Sequence, residues 1–515
     1  MVGANARSES NGIIINMERV PLTDWIKHHR ILLLLSIILI ISIFLRFYDL
    51  GTESIWLDEA ASIKESSLTL QGIADHTNQP PLYFLLLRVW ISLFGTSEIA
   101  LRSMSAIFGI FAVLIIYLVG KSLFNDRVGL IGAFLSSFAF FPIHYSQDAR
   151  AYSLLLLLSL LSYWFFIKLI KKDYYLNYLA YFISSILLAY THFYGLFIIA
   201  SQFIFFLVFF KKYKAQGWKY LTTILALIIA LIPFVLLLKH KITVIAGTGF
   251  WIPKPDFSTL LDTLVIFSSF GSTRYVVFII FILLAISGIF IIKQSGRKLA
   301  RGQSKKHKDK LEQQTQLGSS ETIAMLILWL FTPILIPFIE SQFMTPIYQS
   351  KYAIGAFPAF SILVANGLSR IKWRWGFYPI LILIVILSSI GLQTYYKYPV
   401  KEQWREVARF IDSNSKSDDI ILVSEGYYLS PFNYYYKGNL REVGINNLED
   451  AQQFVRSENE IASDKQTRFW LVLAYNKRQI LNYFVNTYGK DSVEIAQIYG
   501  GKITVVRFSP TSSSK

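Results

Sequence analysis

Six acidic residues crowd the stretch 49–80, namely Asp49, Glu53, Asp58, Glu59, Glu65 and Asp75, against Lys64 alone. Within it, 55–62 (IWLDEAAS) sets two adjacent carboxylates, Asp58 and Glu59, between apolar neighbours. A carboxylate in an apolar, partly dry site holds its proton more tightly, which suits a general base. The same residues also suit a solvated acidic loop that Trp56 anchors at an interface, and spacing does not choose between the two. A second cluster, 144–152 (HYSQDARAY), carries Asp148 and Arg150, which fit a binding site or a local ion pair equally well. His192 lies in 191–194 (THFY). Lys351 lies in 349–352 (QSKY), where a cation fits an anionic partner such as a phosphate or a side chain snorkelling to lipid headgroups.

These residues need elements to bring them together, and composition says which kind. Of 515 residues, 54% are hydrophobic and 16% charged, and the mean hydropathy is +0.45. A soluble chain is nearer a quarter charged. Apolar runs fall at about 31–48, 98–120, 128–143, 151–170, 175–191, 193–210, 219–239, 274–292, 322–340, 352–369 and 376–395, many long enough to cross a hydrocarbon core of roughly 30 Å. There is no cysteine, which excludes disulfides, thiolate metal sites and a cysteine nucleophile.

The net charge of +17 raises nucleic acid as a partner, but its distribution points to membrane topology instead. Residues 293–310 hold eight Lys/Arg against one Asp, and 211–219 hold four with no acid, whereas 396–515 is nearly balanced. Short basic connectors between apolar runs mark the cytoplasmic side. Placing all of them there requires an even number of spans between each pair, which holds if 81–95 (PLYFLLLRVWISLFG) is an interfacial or re-entrant helix, with Arg88 and Trp90 at the interface. The expectation is about eleven transmembrane helices plus interfacial helices. The N-terminal tail 1–30 is then cytoplasmic, the membrane domain covers 31–395, and its loop 49–97 is exoplasmic. A basic linker at 293–320 is cytoplasmic, and 396–515 forms a small exoplasmic α/β domain, with a helix near 403–413 and strands at 419–424, 469–474 and 503–508. This topology puts Asp58, Glu59, Asp148, Arg150, His192 and Lys351 on one membrane face.

Several motifs together resemble the GT-C glycosyltransferases, closest to the branch of protein O-mannosyltransferases and aminoarabinose transferases. They are Trp56-Leu57-Asp58-Glu59-Ala60, Gln79-Pro80-Pro81-Leu82-Tyr83, Gly95-Thr96-Ser97-Glu98 with Leu101-Arg102, and Tyr145-Ser146-Gln147-Asp148-Ala149-Arg150. The resemblance covers about 25–395 in layout and is most specific over 54–152. It implies an integral-membrane enzyme that moves a sugar, with inversion, from a polyprenyl-phosphate donor to an exoplasmic acceptor of unspecified kind. Asp58 would be the general base and Glu59 its support. Asp148 would hold sugar, Arg150 and Lys351 would stabilise the leaving phosphate, and Tyr152, Tyr352, His192 and Gln79 would be wall residues. No metal is required, although members differ and a divalent ion is left open. Membrane lipids are the expected surroundings and a bacterial inner membrane the expected location. The competing readings are a flippase for lipid-linked sugars, which would place its charges at mid-membrane depth, and a non-catalytic scaffold, which would tolerate loss of Asp58.

Overall fold

The computed structural model describes residues 22–76, 79–248, 252–302, 317–461, 468–475, 477–500 and 502–509, together with two short paired strands, β1 (Gly3–Asn5) and β2 (Asn16–Glu18). The first membrane helix, α1 (Leu22–Phe47), leads into three shorter helices, α2 (Leu57–Ser67), α3 (Leu70–His76) and α4 (Leu82–Phe94). Then follow α5 (Glu98–Leu123), α6 (Asp126–Phe138), α7 (Phe140–Ser146), α8 (Tyr152–Lys171), α9 (Tyr175–Thr191), α10 (Tyr194–Val208), α11 (Lys214–Thr248), α12 (Phe257–Ser268) and α13 (Arg274–Gly302). The bundle closes with α14 (Ser319–Phe343), α15 (Phe357–Ser369) and α16 (Arg374–Lys397).

Among the described residues, 8 helices are long and apolar enough to cross a membrane, and the bent pair α6–α7 makes a ninth. The two remaining expected runs are α9 and α10, of 17 and 15 residues. Each of the eleven runs thus has a helical counterpart, although the span 128–143 is broken by 61° between α6 and α7. Proline accounts for the break. Pro142 lacks an N–H and its ring clashes with the carbonyl four residues earlier, at Phe138, where α6 ends. The buried Arg46 donates to the carbonyls of Ser136 and Ser137 beside it, each at 3.4 Å. The close approach depends on Gly109 of α5, where a Cβ would meet Ser146 Oγ at 2.0 Å.

Helix α4 is short, with Tyr83, Phe84 and Leu87 buried and Leu86, Val89 and Leu93 exposed, as suits a helix lying along an interface. Arg88 and Trp90, the residues expected at the interface, both hydrogen-bond to neighbouring elements. Trp90 Nε1 donates to the Ala100 carbonyl at 2.8 Å, tying α4 to α5, and Arg88 Nε donates to the Ser66 carbonyl at 2.6 Å, closing the C-terminal end of α2. The linker expected from 293 begins within α13, which continues to Gly302; residues 303–316 lie outside those described.

After the bundle come α17 (Trp404–Asn414), β3 (Ile420–Ser424), α18 (Leu429–Tyr435), β4 (Arg441–Ile445), α19 (Leu448–Ile461), β5 (Phe469–Ala474), α20 (Arg478–Tyr488), β6 (Val493–Tyr499) and β7 (Ile503–Phe508). The strands form one sheet in the order β4-β3-β5-β7-β6. β3 runs parallel to β4 and β5, while β7 runs antiparallel to both β5 and β6. Helices cover both faces, which is why β3 and β5 are buried at every position and read as unbroken apolar runs. The edge strands β4 and β6, with mixed composition, gave no such signal.

Candidate active site

Asp58 and Glu59 occupy the first turn of α2, where the helix dipole favours negative charge. Neighbouring residues on a helix diverge by about 100°, and the two carboxylates meet opposite surroundings. Glu59 is completely buried. Its Oε1 and Oε2 accept from Arg102 Nε at 2.8 Å and Nη2 at 2.7 Å, and Oε1 also accepts from Lys401 Nζ at 2.9 Å and the Ala149 N–H at 3.0 Å. Arg102 spends its other donors on the carbonyls of Leu50, Glu53 and Ser54, at 2.8–2.9 Å, so one guanidinium holds the loop ahead of α2 in place. Burial alone would raise the Glu59 pKa, but Arg102 and Lys401 outweigh it and hold the carboxyl well below the usual range. With both oxygens engaged, Glu59 is an anchor and not a proton acceptor.

Asp58 instead keeps 27% of its side chain exposed. Its Oδ2 lies 3.4 Å from Lys351 Nζ and 3.9 Å from Arg150 Nε. Burial pushes its pKa up, but the two cations more than reverse this and leave it below the ordinary carboxylate value. The sequence suggested the opposite shift, from apolar neighbours; it could not reveal cations 92 and 293 residues away. Arg150 is fixed by donating to the Asp58 carbonyl at 3.2 Å and to Ser62 Oγ at 3.0 Å, and its Nε has no hydrogen-bond partner.

Asp148 sits beneath this pair, 1% exposed. Its Oδ1 accepts from Trp56 Nε1 at 2.8 Å and lies 3.5 Å from Lys401 Nζ, while Oδ2 has no hydrogen-bond partner. Burial, only partly offset by Lys401 and reinforced by Glu59, pushes its pKa up to about 6.

Aromatic rings wall the cations. Lys351 Nζ stands 5.7 Å from the Tyr152 ring centre and 5.6 Å from that of Tyr352, within cation–π range. Tyr152 and Tyr352 stack at 6.1 Å, and His192 packs 4.8 Å from Tyr352. His192 Nδ1 accepts the Tyr194 N–H at 3.2 Å, and burial, aided by Arg150 and Lys351, lowers its pKa to about 3, so the ring is neutral. The Lys351 turn (Ser350–Ala356) is held by Ser350, whose hydroxyl shares a hydrogen bond of 2.8 Å with Thr263 of α12. Asp58, Arg150, Lys351, Tyr152, Tyr352 and His192 therefore form one cluster, with Glu59 and Asp148 under it. Gln79 is half-buried in the loop leading into α4, a position that by itself gives it no role.

Two central residues had no assigned role from sequence. Arg102 stood inside the Gly95–Arg102 motif, near the start of the membrane helix α5. Lys401 had no local signal at all, being one of sixteen basic residues in a nearly neutral segment. A divalent metal does not fit the Asp58 carboxylate as it stands. Its near neighbours are two cations, and among the described residues no three His, Asp or Glu side chains converge as a ligand set.

The bundle of membrane helices, the acidic helix α2 and the small sheet that follows have counterparts among known proteins. Residues 78–236 match the family model described as dolichyl-phosphate-mannose-protein mannosyltransferase. The chain is similar in fold to ArnT from Cupriavidus metallidurans in the apo state, at 13% identity and a TM-score of 0.58, covering 95% of this chain and 98% of that one. ArnT bound to undecaprenyl phosphate matches at 14% identity, TM-score 0.54, over 96% and 99% of the two chains. The oligosaccharyltransferase AglB from Archaeoglobus fulgidus, in complex with an inhibitory peptide and a dolichol-phosphate, matches at 13% identity, TM-score 0.53, over 88% and 70%. No curated protein matches by sequence.

Proposed function

We propose that this protein transfers a glycosyl group from a polyprenyl-phosphate donor to an exoplasmic acceptor, with Asp58 as general base. The observation that carries the reading is the half-open Asp58 carboxylate set between Arg150 and Lys351 at the edge of an aromatic wall. In the step, the acceptor's O–H or N–H gives its proton to Asp58 as its lone pair attacks the anomeric carbon. The anomeric C–O bond breaks and its electron pair leaves on the polyprenyl phosphate. Arg150 and Lys351 are placed to stabilise the charge gathering on that phosphate, and a base already ionised at neutral pH needs no prior deprotonation. In-line attack inverts the anomeric centre. Glu59 positions Asp58 by fixing the first turn of α2. Asp148 holds Trp56, and Tyr152, Tyr352 and His192 wall the donor. Undecaprenyl phosphate in the similar ArnT fold supports a lipid-phosphate donor.

The same reading places the acidic loop and 396–515 on the exoplasmic side, the basic connectors and the N-terminus in the cytoplasm, and the protein in a bacterial inner membrane. The functional charges gather near one face, which favours a transferase over a flippase. The test is donor consumption by purified wild type and Asp58→Asn with a polyprenyl-phosphate sugar. Asp58→Asn should lose about 10²–10⁴-fold in rate while still binding polyprenyl phosphate. Full turnover by that variant would overturn the base assignment, and wild type that moves the donor across vesicles without consuming it would overturn the transferase.

A further inference from the structure

The sheet that follows the membrane bundle has a feature the reaction above does not use. The chain leaves β3 through α18 to reach β4 on one side, then returns through α19 to β5 on the other side of β3. The gap between β3 and β5 is therefore a topological switch point, and in open α/β sheets ligands bind in the crevice at the carboxyl ends of the strands there. Those ends lie level, Ser424 pairing with Leu473.

The residues at this crevice are unusual for a bare structural turn. After β3 come Glu425, Gly426, Tyr427 and Tyr428; after β5 comes Tyr475, which holds a positive φ of 53° that a non-glycine residue adopts at some cost. Tyr427 and Tyr475 are about half exposed. The three rings form a chain, with Tyr427 to Tyr428 at 4.6 Å and Tyr428 to Tyr475 at 6.2 Å, and Trp404 stacks beneath Tyr428 at 5.4 Å. Lys477 Nζ and Glu425 Oε1 bridge the two loops at 2.5 Å. Tyr475 donates its hydroxyl to the carboxylate of Glu402, which is 2% exposed. Two buried polar atoms beside these rings have no hydrogen-bond partner, namely Glu402 Oε2 and Trp404 Nε1. A native fold rarely leaves such atoms unsatisfied without a use.

The crevice also faces the reaction centre. Leu57, next to Asp58, packs into the cluster that contains Trp404 and Tyr428, and the Ile55 N–H donates to Tyr435 Oη of α18 at 2.7 Å. Burial raises the pKa of the Tyr428 and Tyr475 hydroxyls, and the Asp58 carboxylate adds to the effect on both.

We infer that the carboxyl-edge crevice between β3 and β5 is the acceptor subsite and that the acceptor it takes is a carbohydrate. Flat amphipathic tyrosines offer rigid faces to sugar rings at low entropic cost, and the Glu402 and Glu425 carboxylates accept from hydroxyls. A peptide added as a further strand would instead need an open strand edge to pair with, and this crevice lies at strand ends. The assignment rests on the transferase reading, since it delivers a sugar hydroxyl towards Asp58.

The test uses the full chain in lipid nanodiscs and two binding assays. In the first, saturation-transfer NMR is run with a panel of hexose, N-acetylhexosamine and pentose di- to tetrasaccharides. Wild type should bind at least one, and Tyr427→Ala and Tyr475→Ala should each weaken it roughly tenfold, with Tyr475→Phe nearer to wild type. Tyr427 is half exposed, so its variant tests the crevice even if Tyr475→Ala fails to fold. In the second, undecaprenyl phosphate binding should be unchanged in the tyrosine variants and weakened in Lys351→Ala. No saccharide binding by wild type, tyrosine variants that bind as wild type does, or binding of a random peptide library in place of the saccharides would each overturn the crevice assignment. Lipid-phosphate binding that is absent or indifferent to Lys351 overturns the donor reading and leaves the saccharide result standing.

Discussion

Asp58 and Glu59 are consecutive, yet one is sealed and the other half open, and this difference determines how each responds to pH. The Asp58 carboxyl is held below its ordinary pKa, so activity should show no loss assignable to it until the pH falls below about 4. An acid limb near neutrality that vanishes in Asp58→Asn would contradict this. Asp148 behaves in the opposite sense. Its folded pKa lies above the unfolded value, so the folded state takes up a proton first and stability falls as pH rises from about 4 to about 6. His192 opposes it in part of the same window, because a neutral folded imidazole loses stability as pH falls below the unfolded value of about 6.5. The Asp148 contribution is therefore read against a variant. Asp148→Asn should be more thermostable than wild type at pH 7, and the gap should narrow towards pH 5. A gap that does not change with pH would overturn the titration assigned to Asp148.

At the scale of elements, the critical joint is that between α2 and the segment after α16. Lys401 touches Glu59, Asp148 and the Gln147 carbonyl, all buried. Replacing it with methionine leaves Glu59 on Arg102 but takes away the ion-pair partner of Asp148, and removing one member of a buried ion cluster costs about 3–5 kcal/mol. Lys401→Met should lower both the melting temperature and the transfer rate, Lys401→Arg should restore part of each, and adding Asp148→Asn to Lys401→Met should recover stability by removing a charge. If the double variant is no more stable than the single, the electrostatic account is wrong. This joint was also the least legible part of the sequence. Strands β3, β5 and β7 could be read because apolar runs of 5–6 residues announce them, and α17 because Trp404, Val407, Ala408 and Ile411 recur at helical spacing. Lys401 joins partners hundreds of residues away, and nothing in its own neighbourhood encodes that.

For the whole molecule, hydropathy carried most of the architecture. Each apolar run has a helix to match, because a segment in a hydrocarbon core must satisfy its own backbone hydrogen bonds. Breaks and overhangs were harder to read: the α6–α7 kink depends on one proline in a run that otherwise looks continuous, and α11 and α13 continue beyond their apolar stretches. Which face each end occupies can be tested directly, since the chain has no native cysteine. Ser67→Cys and Ser417→Cys should react with an impermeant maleimide from the exoplasmic side, and Lys372→Cys only after the membrane is opened. The reverse pattern would invert the topology.

The bond between Lys401 and Glu59 spans 342 positions of chain. At roughly 5–20 residues per second of synthesis, about 20–70 s separate the appearance of the acidic helix from that of the lysine that locks it. Until then Glu59 lacks one of its two cations and Asp148 lacks its ion-pair partner. The ion cluster beneath Asp58 is thus completed only by a residue that follows the whole helix bundle, and a copy cut before Lys401 should form its helices yet leave Glu59 without half of its lock.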